Sequence, residues 1–127
     1  MTTALYAGLS GILLLALSSR VVNARRTHSI GIGDGGNDEL MRAIRVQANF
    51  TEYVPLILVL ILLIEMNGNS AAVIHSLGAG LIISRVLHAA GLSRSSGVTS
   101  ARFVGVLGTW LVLAISSAIL LMDAMPR

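Results

Sequence analysis

The chain contains no cysteine and no lysine, only two prolines, and few aromatics, 4% of its residues. Without a thiol there is no disulfide, no thiolate metal site and no cysteine nucleophile, so thiol chemistry here has to arrive on a ligand. Without lysine, all nine basic residues are arginine, the side chain whose planar fork grips carboxylates bidentately. Charge of either sign is scarce. Charged residues make up 12% of the 127, against roughly 25% in soluble domains, while 54% are hydrophobic and the mean hydropathy is +0.81. That balance describes an integral membrane protein. The net charge of +3 does not point to nucleic acid, because the arginines form no basic stripe and membrane topology accounts for them better.

What is present is a set of four apolar stretches, predicting transmembrane helices over about 2–26, 38–66, 70–92 and 99–123. Residues 2–19, TTALYAGLSGILLLALSS, carry no charge, and with no basic segment ahead of them they read as a first span rather than a cleaved signal. THSIGIGDGGN, residues 27–37, reads as a flexible polar loop. Its GIGDGG stretch lacks the lysine and hydroxyl of a phosphate loop, and Asn37 or Asp38 is placed to cap the next helix. Short connections make an up-down-up-down bundle the default, so the fold class is a single all-α, four-helix membrane domain. Small residues at Ala4/Gly8, Ser76/Gly80 and Gly105/Thr109 offer places for close helix approach.

The arginines also orient the chain. Arg20, Arg25, Arg26, Arg42 and Arg45 flank the first loop and Arg85, Arg94 and Arg102 the third, whereas only Arg127 lies on the opposite side. The positive-inside rule then places loops one and three in the cytoplasm and both termini outside.

The second helix carries the chemistry. Beyond Glu52 its uncharged part, YVPLILVLILLI, spans about 18 Å at 1.5 Å per residue, against a hydrocarbon core of about 30 Å. Asn49 and Glu52 therefore lie within the membrane thickness, with Pro55 expected to kink the helix just beyond them. At 100° per residue, Arg42, Arg45, Asn49, Glu52 and Tyr53 fall within roughly a 100° arc, while Val46, Phe50 and Val54 point elsewhere. Arg85 and His88 repeat the theme on helix three, and Arg102 opens helix four.

An ionised glutamate at a helix centre costs about 2.5 to 3.5 kcal/mol in the bilayer, so it usually faces a cavity or a partner. The bland alternative is that Glu52 pairs with an arginine and locks helices together; Arg42 or Arg45 alone would pass for snorkelling anchors. Several guanidiniums, an amide, a carboxylate and a tyrosine at one mouth suit a small zwitterion with more than one carboxylate, its ammonium neutralised by Glu52. Glutathione has that pattern, and so do other peptides and amino acids. His75, towards the other end of helix three, reads as an interhelical hydrogen-bonding residue, and Asp34 and Asp38 with the histidines match no familiar metal spacing.

Arg45-Val-Gln47-Ala-Asn49-Phe-Thr-Glu52-Tyr53-Val-Pro55 resembles the helix-two signature of the MAPEG family, the membrane-associated proteins of eicosanoid and glutathione metabolism, in the form R-x-Q-x-N-x-x-E-Y-x-P of its leukotriene synthase branch. Val22-Asn23-Ala24-Arg25-Arg26 is similar to the end of that family's first helix and Ser100-Ala101-Arg102 to the start of its fourth. The likeness runs through nearly the whole chain and looks most like a small bacterial branch. It implies a homotrimer in a bacterial inner membrane, with glutathione held between subunits at the cytoplasmic side and a lipophilic electrophile arriving from the membrane lipid. By the resemblance, Arg45, Asn49, Glu52 and Tyr53 hold the peptide, Arg25 or Arg26 approaches a carboxylate, and Gln47 reaches a ligand shared with a neighbouring subunit; Arg42, on the same polar arc, joins the expected binding set. Arg102 corresponds to the arginine that stabilises the thiolate. Lowering a thiol pKa by about two units takes roughly 2.7 kcal/mol of preferential thiolate stabilisation, within reach of a partly desolvated arginine.

Two departures qualify this expectation. Phe103 follows Arg102 where the prostaglandin synthase branch has serine, and His88 and Leu92 stand where the leukotriene branch has two tyrosines, leaving His88 as a substitute ligand contact. A glutathione-dependent transferase or peroxidase is the leading expectation. The alternatives are a non-catalytic binder of glutathione or lipid, and a small proton-coupled exporter, which would explain Glu52 but not the arginines around it.

Overall fold

The computed structural model describes residues 1–94 and 99–125, the side chains of residues 93 and 94 excepted; Arg127 and the Arg94 side chain, used above to orient the chain, lie outside the described residues. Among the described residues the chain is all-helical, with α1 Thr3–His28, α2 Asp38–Met66, α3 Ala71–Arg94 and α4 Ser100–Ala124. Each is long and apolar enough to cross a membrane.

Local chemistry explains the ends. The Asn37 side chain accepts a hydrogen bond from Leu40 N at 2.9 Å, capping α2, and the Thr99 hydroxyl does the same for Arg102 N at 3.2 Å in α4. Ser29 terminates α1 in the left-handed region at φ 53°, and its N–H returns to the last carbonyls of that helix. The glycine-rich loop is more tightly bonded than its composition suggests. Arg25 donates to the carbonyls of Ile30 at 3.3 Å and Gly33 at 2.9 Å, and Asp34 accepts from Gly36 N at 2.9 Å. Gly35, at φ 58°, leaves room for the Ile30 side chain, which a Cβ there would meet at 2.9 Å. The helix α2 runs unbroken through Pro55.

The helices alternate in direction, as polar contacts at one end make plain. Glu65, near the end of α2, accepts from the backbone N–H groups of Thr2 and Thr3 at the start of α1, the latter at 2.9 Å. Asn67 and Asn69, in the turn before α3, donate to Asp123 near the end of α4 at 3.4 and 3.0 Å. Tyr6 bonds to His75 Nδ1 at 2.8 Å, joining α1 to α3 through the histidine expected to make an interhelical bond.

Packing follows from α2. Its buried residues Val46, Phe50, Val54, Ile57, Ile61 and Ile64 recur at steps of three or four, the spacing that keeps one stripe on one helix face. They meet Ile74, Leu77 and Leu81 of α3, Leu17 of α1 and Val112 of α4 in the main core. A pair of apolar faces gains little from leaving lipid, so close fit and small side chains hold such helices together. Gly105 and Gly108 supply that fit between α3 and α4. A Cβ on Gly105 would sit 2.5 Å from His88 N, and one on Gly108 would overlap the Ser84 hydroxyl. Of the other small pairs, Gly80 lies against Val112, whereas Gly8 has no neighbour within 4 Å in the single chain. Among the described residues no Cα of α1 comes within 8 Å of one in α4. The bundle is therefore a central α2–α3 pair with one helix on either flank rather than a closed ring.

Candidate functional site

The two faces of α2 are offset. Its buried stripe and its polar arc lie about 100° apart on the helix wheel, so the arc runs along the edge of the packed interface. Asn49 and Tyr53, on the near side of that arc, are half-buried, while Arg45 and Glu52, on the far side, keep 57% and 51% of their side chains exposed and pair with each other at 3.8 Å. Such an exposed pair is worth little in water. The pair presents opposite charges on one outward face of α2.

Where α2, α3 and α4 meet, a cavity of about 150 Å³ opens. Its polar wall is made of Arg42, Arg45 and Asn49 from α2, His88 from α3 and Arg102 from α4, and its apolar wall of Met41 and Leu92. Behind the wall lies a buried polar cluster. Arg85, 1% exposed, donates through Nη2 to Asn49 Oδ1 at 2.7 Å and to His88 Nδ1 at 3.1 Å, and through Nη1 to Thr109 Oγ1 at 3.3 Å. Its guanidinium carbon stands 6.0 Å from the centre of the Phe50 ring, near the limit for a cation–π contact. Arg85 Nε is buried without a hydrogen-bond partner.

Five of the ten side chains expected at the site thus share one cavity. Glu52 sits on the adjoining outer face through its pairing with Arg45, and Tyr53 packs against the main core. The other three lie apart within the single chain. Gln47 donates to Ser18 Oγ of α1 at 2.8 Å, Arg25 braces the first loop, and Arg26 is exposed. Arg85 was legible as polar but not as the buried hub: nothing in one helix's pattern says that its guanidinium turns inward to meet Asn49 and Thr109 on two other helices.

The cavity concentrates positive charge and N–H donors, an arrangement suited to carboxylates. The sequence model of the MAPEG family matches residues 3–122. The chain is similar to the Inner membrane protein YecN of Escherichia coli (strain K12), with 39% identity over 113 residues covering 89% of this chain and 85% of the relative, and equally to YecN of a second Escherichia coli strain.

Proposed function

The chain belongs to the MAPEG family, and from that premise we propose that it is a glutathione-dependent transferase or peroxidase of a bacterial inner membrane, acting on lipophilic electrophiles as a homotrimer. One observation carries the reading: Arg45 of α2 and Arg102 of α4, far apart in the chain, line the same cavity beside Asn49 and His88. The donor set fits a peptide bearing two carboxylates, and Glu52, next to Arg45, is the acid placed to meet its ammonium. When bound, glutathione supplies the nucleophile, a thiolate sulfur that bonds to the electrophilic carbon as the leaving group departs with its electron pair.

The chain's own residues do the rest. Arg42, Arg45 and Asn49 hold the peptide, Arg102 stabilises negative charge on sulfur, and Glu52 with Tyr53 fixes the amino end. Size supports assembly. A drug-sized ligand usually occupies about 300–1,000 Å³, whereas the cavity of one chain offers about 150 Å³ and leaves Glu52 outside it. A neighbouring copy closing over the α2 face would complete the site and cover the exposed Arg45–Glu52 pair.

A titration of the purified protein with glutathione and with its analogue lacking the amino group tests this directly. Binding of glutathione with a clear loss for the analogue is the expected result, and no binding of either would overturn it. Arg102→Ala should cut turnover of chlorodinitrobenzene more than it weakens binding, while Glu52→Gln should weaken binding itself; equal loss of binding in both would refute the assigned roles. Leu92 on the cavity wall, without a hydroxyl, favours a second reading as a non-catalytic glutathione binder. Binding without turnover of chlorodinitrobenzene or a lipid hydroperoxide would select it.

A further inference from the structure

We propose that Arg85 is a positioning residue that makes Asn49 and His88 hydrogen-bond donors towards the cavity, so that the cavity admits an acceptor-only anionic group such as a carboxylate and rejects an ammonium. The inference rests on the anion-seat reading above and extends it to a residue behind the cavity wall.

The direction of each bond follows from chemistry. A guanidinium has five N–H donors and no acceptor, so whatever faces Arg85 must offer a lone pair. The Asn49 amide therefore turns Oδ1 inward, at 2.7 Å from Nη2, and leaves its two Nδ2 hydrogens for the other side. An imidazole whose Nδ1 accepts at 3.1 Å is the neutral tautomer with its proton on Nε2. Thr109 fits the same polarity. Its hydroxyl gives its proton to the Gly105 carbonyl at 2.8 Å and accepts from Arg85 Nη1.

With Asn49 and His88 fixed in this sense, every polar side chain on the cavity wall offers N–H: three arginines, an amide NH2 and an imidazole Nε2–H. A carboxylate, which only accepts, can be satisfied on all sides. An ammonium finds no acceptor there, and the neighbouring acid, Glu52, lies on the outer face. Arg85 itself is locked, being 1% exposed and held at once by Asn49, His88 and Thr109.

Long-range proton–nitrogen NMR on the ligand-free, histidine-labelled protein decides the point. The wild type should show His88 protonated at Nε2, and Arg85→Met should convert it to a mixture of tautomers. A His88 protonated at Nδ1 or at both nitrogens in the wild type at neutral pH overturns the proposal, as does an unchanged tautomer in Arg85→Met. Should Arg85→Met fail to fold, the wild-type spectrum still decides, together with Asn49→Asp. That variant keeps the acceptor facing Arg85 and loses the donor facing the cavity. Its glutathione affinity should fall about ten- to a hundredfold with melting at or above wild type; wild-type affinity in Asn49→Asp overturns the proposal. Failure of the wild type to bind glutathione would sink the glutathione reading alone, because the tautomer measurement uses no ligand.

Discussion

At the scale of the residue, Arg42, Arg45, Asn49 and Glu52 share one face of α2, and the packing of that helix against α3 and α4 divides them between the cavity and the outer surface. The spacing of Arg42, Arg45, Asn49 and Glu52 discloses a polar face on α2, since a single helix wheel suffices to find it. Which of these side chains turn inward depends on the register of α2 against α3 and α4, set by contacts such as Gly105 on His88 and Gly108 on Ser84. A lone glycine in an apolar run carries no mark of that role. Gly105→Ala is therefore expected to push α3 and α4 apart and cost about 1 to 3 kcal/mol, the usual range for overpacking, seen as a lower melting temperature and a weakened glutathione response. Unchanged melting would show that the two backbones can separate without penalty.

At the scale of the element, the helix ends divide in the same way. The Asn37 cap of α2 was visible because capping is a matter of three neighbouring residues. The cap of α1 was not. Its donors, the N–H groups of Thr2 and Thr3, are met by Glu65 from the far end of α2, more than sixty residues away, and no local pattern encodes that partnership. Glu65→Ala should fray the start of α1, seen as faster amide exchange confined to the first turn. Glu65→Gln, which keeps one acceptor oxygen, should fray it less. The first loop makes a comparable case: Arg25 reads as a ligand contact by resemblance, yet in the single chain it braces the carbonyls of Ile30 and Gly33. Arg25→Ala should raise amide exchange across residues 30–36, measured by mass spectrometry, and an unaffected loop would show that the brace is dispensable.

At the scale of the whole molecule, the four spans were plain from hydropathy, but their arrangement as a central pair with two flanks was not, because connection length gives adjacency along the chain and nothing more. The small cavity and the outward Arg45–Glu52 pair suit an assembly, so native mass spectrometry in mild detergent should find trimers, with glutathione on trimers and not on monomers. The absence of cysteine simplifies the topology test. Gly31→Cys in the first loop should react with an impermeant maleimide only from the cytoplasmic side, and Ser70→Cys only from the opposite side; the reverse pattern would invert the orientation. Because α1 and α4 stand on opposite flanks with their backbones apart, a strain applied to one reaches the other chiefly through the pair between them. Pulled from its N-terminus in a single-molecule experiment, the subunit should peel, shedding its first helix as a discrete step while the remaining three still enclose Arg85.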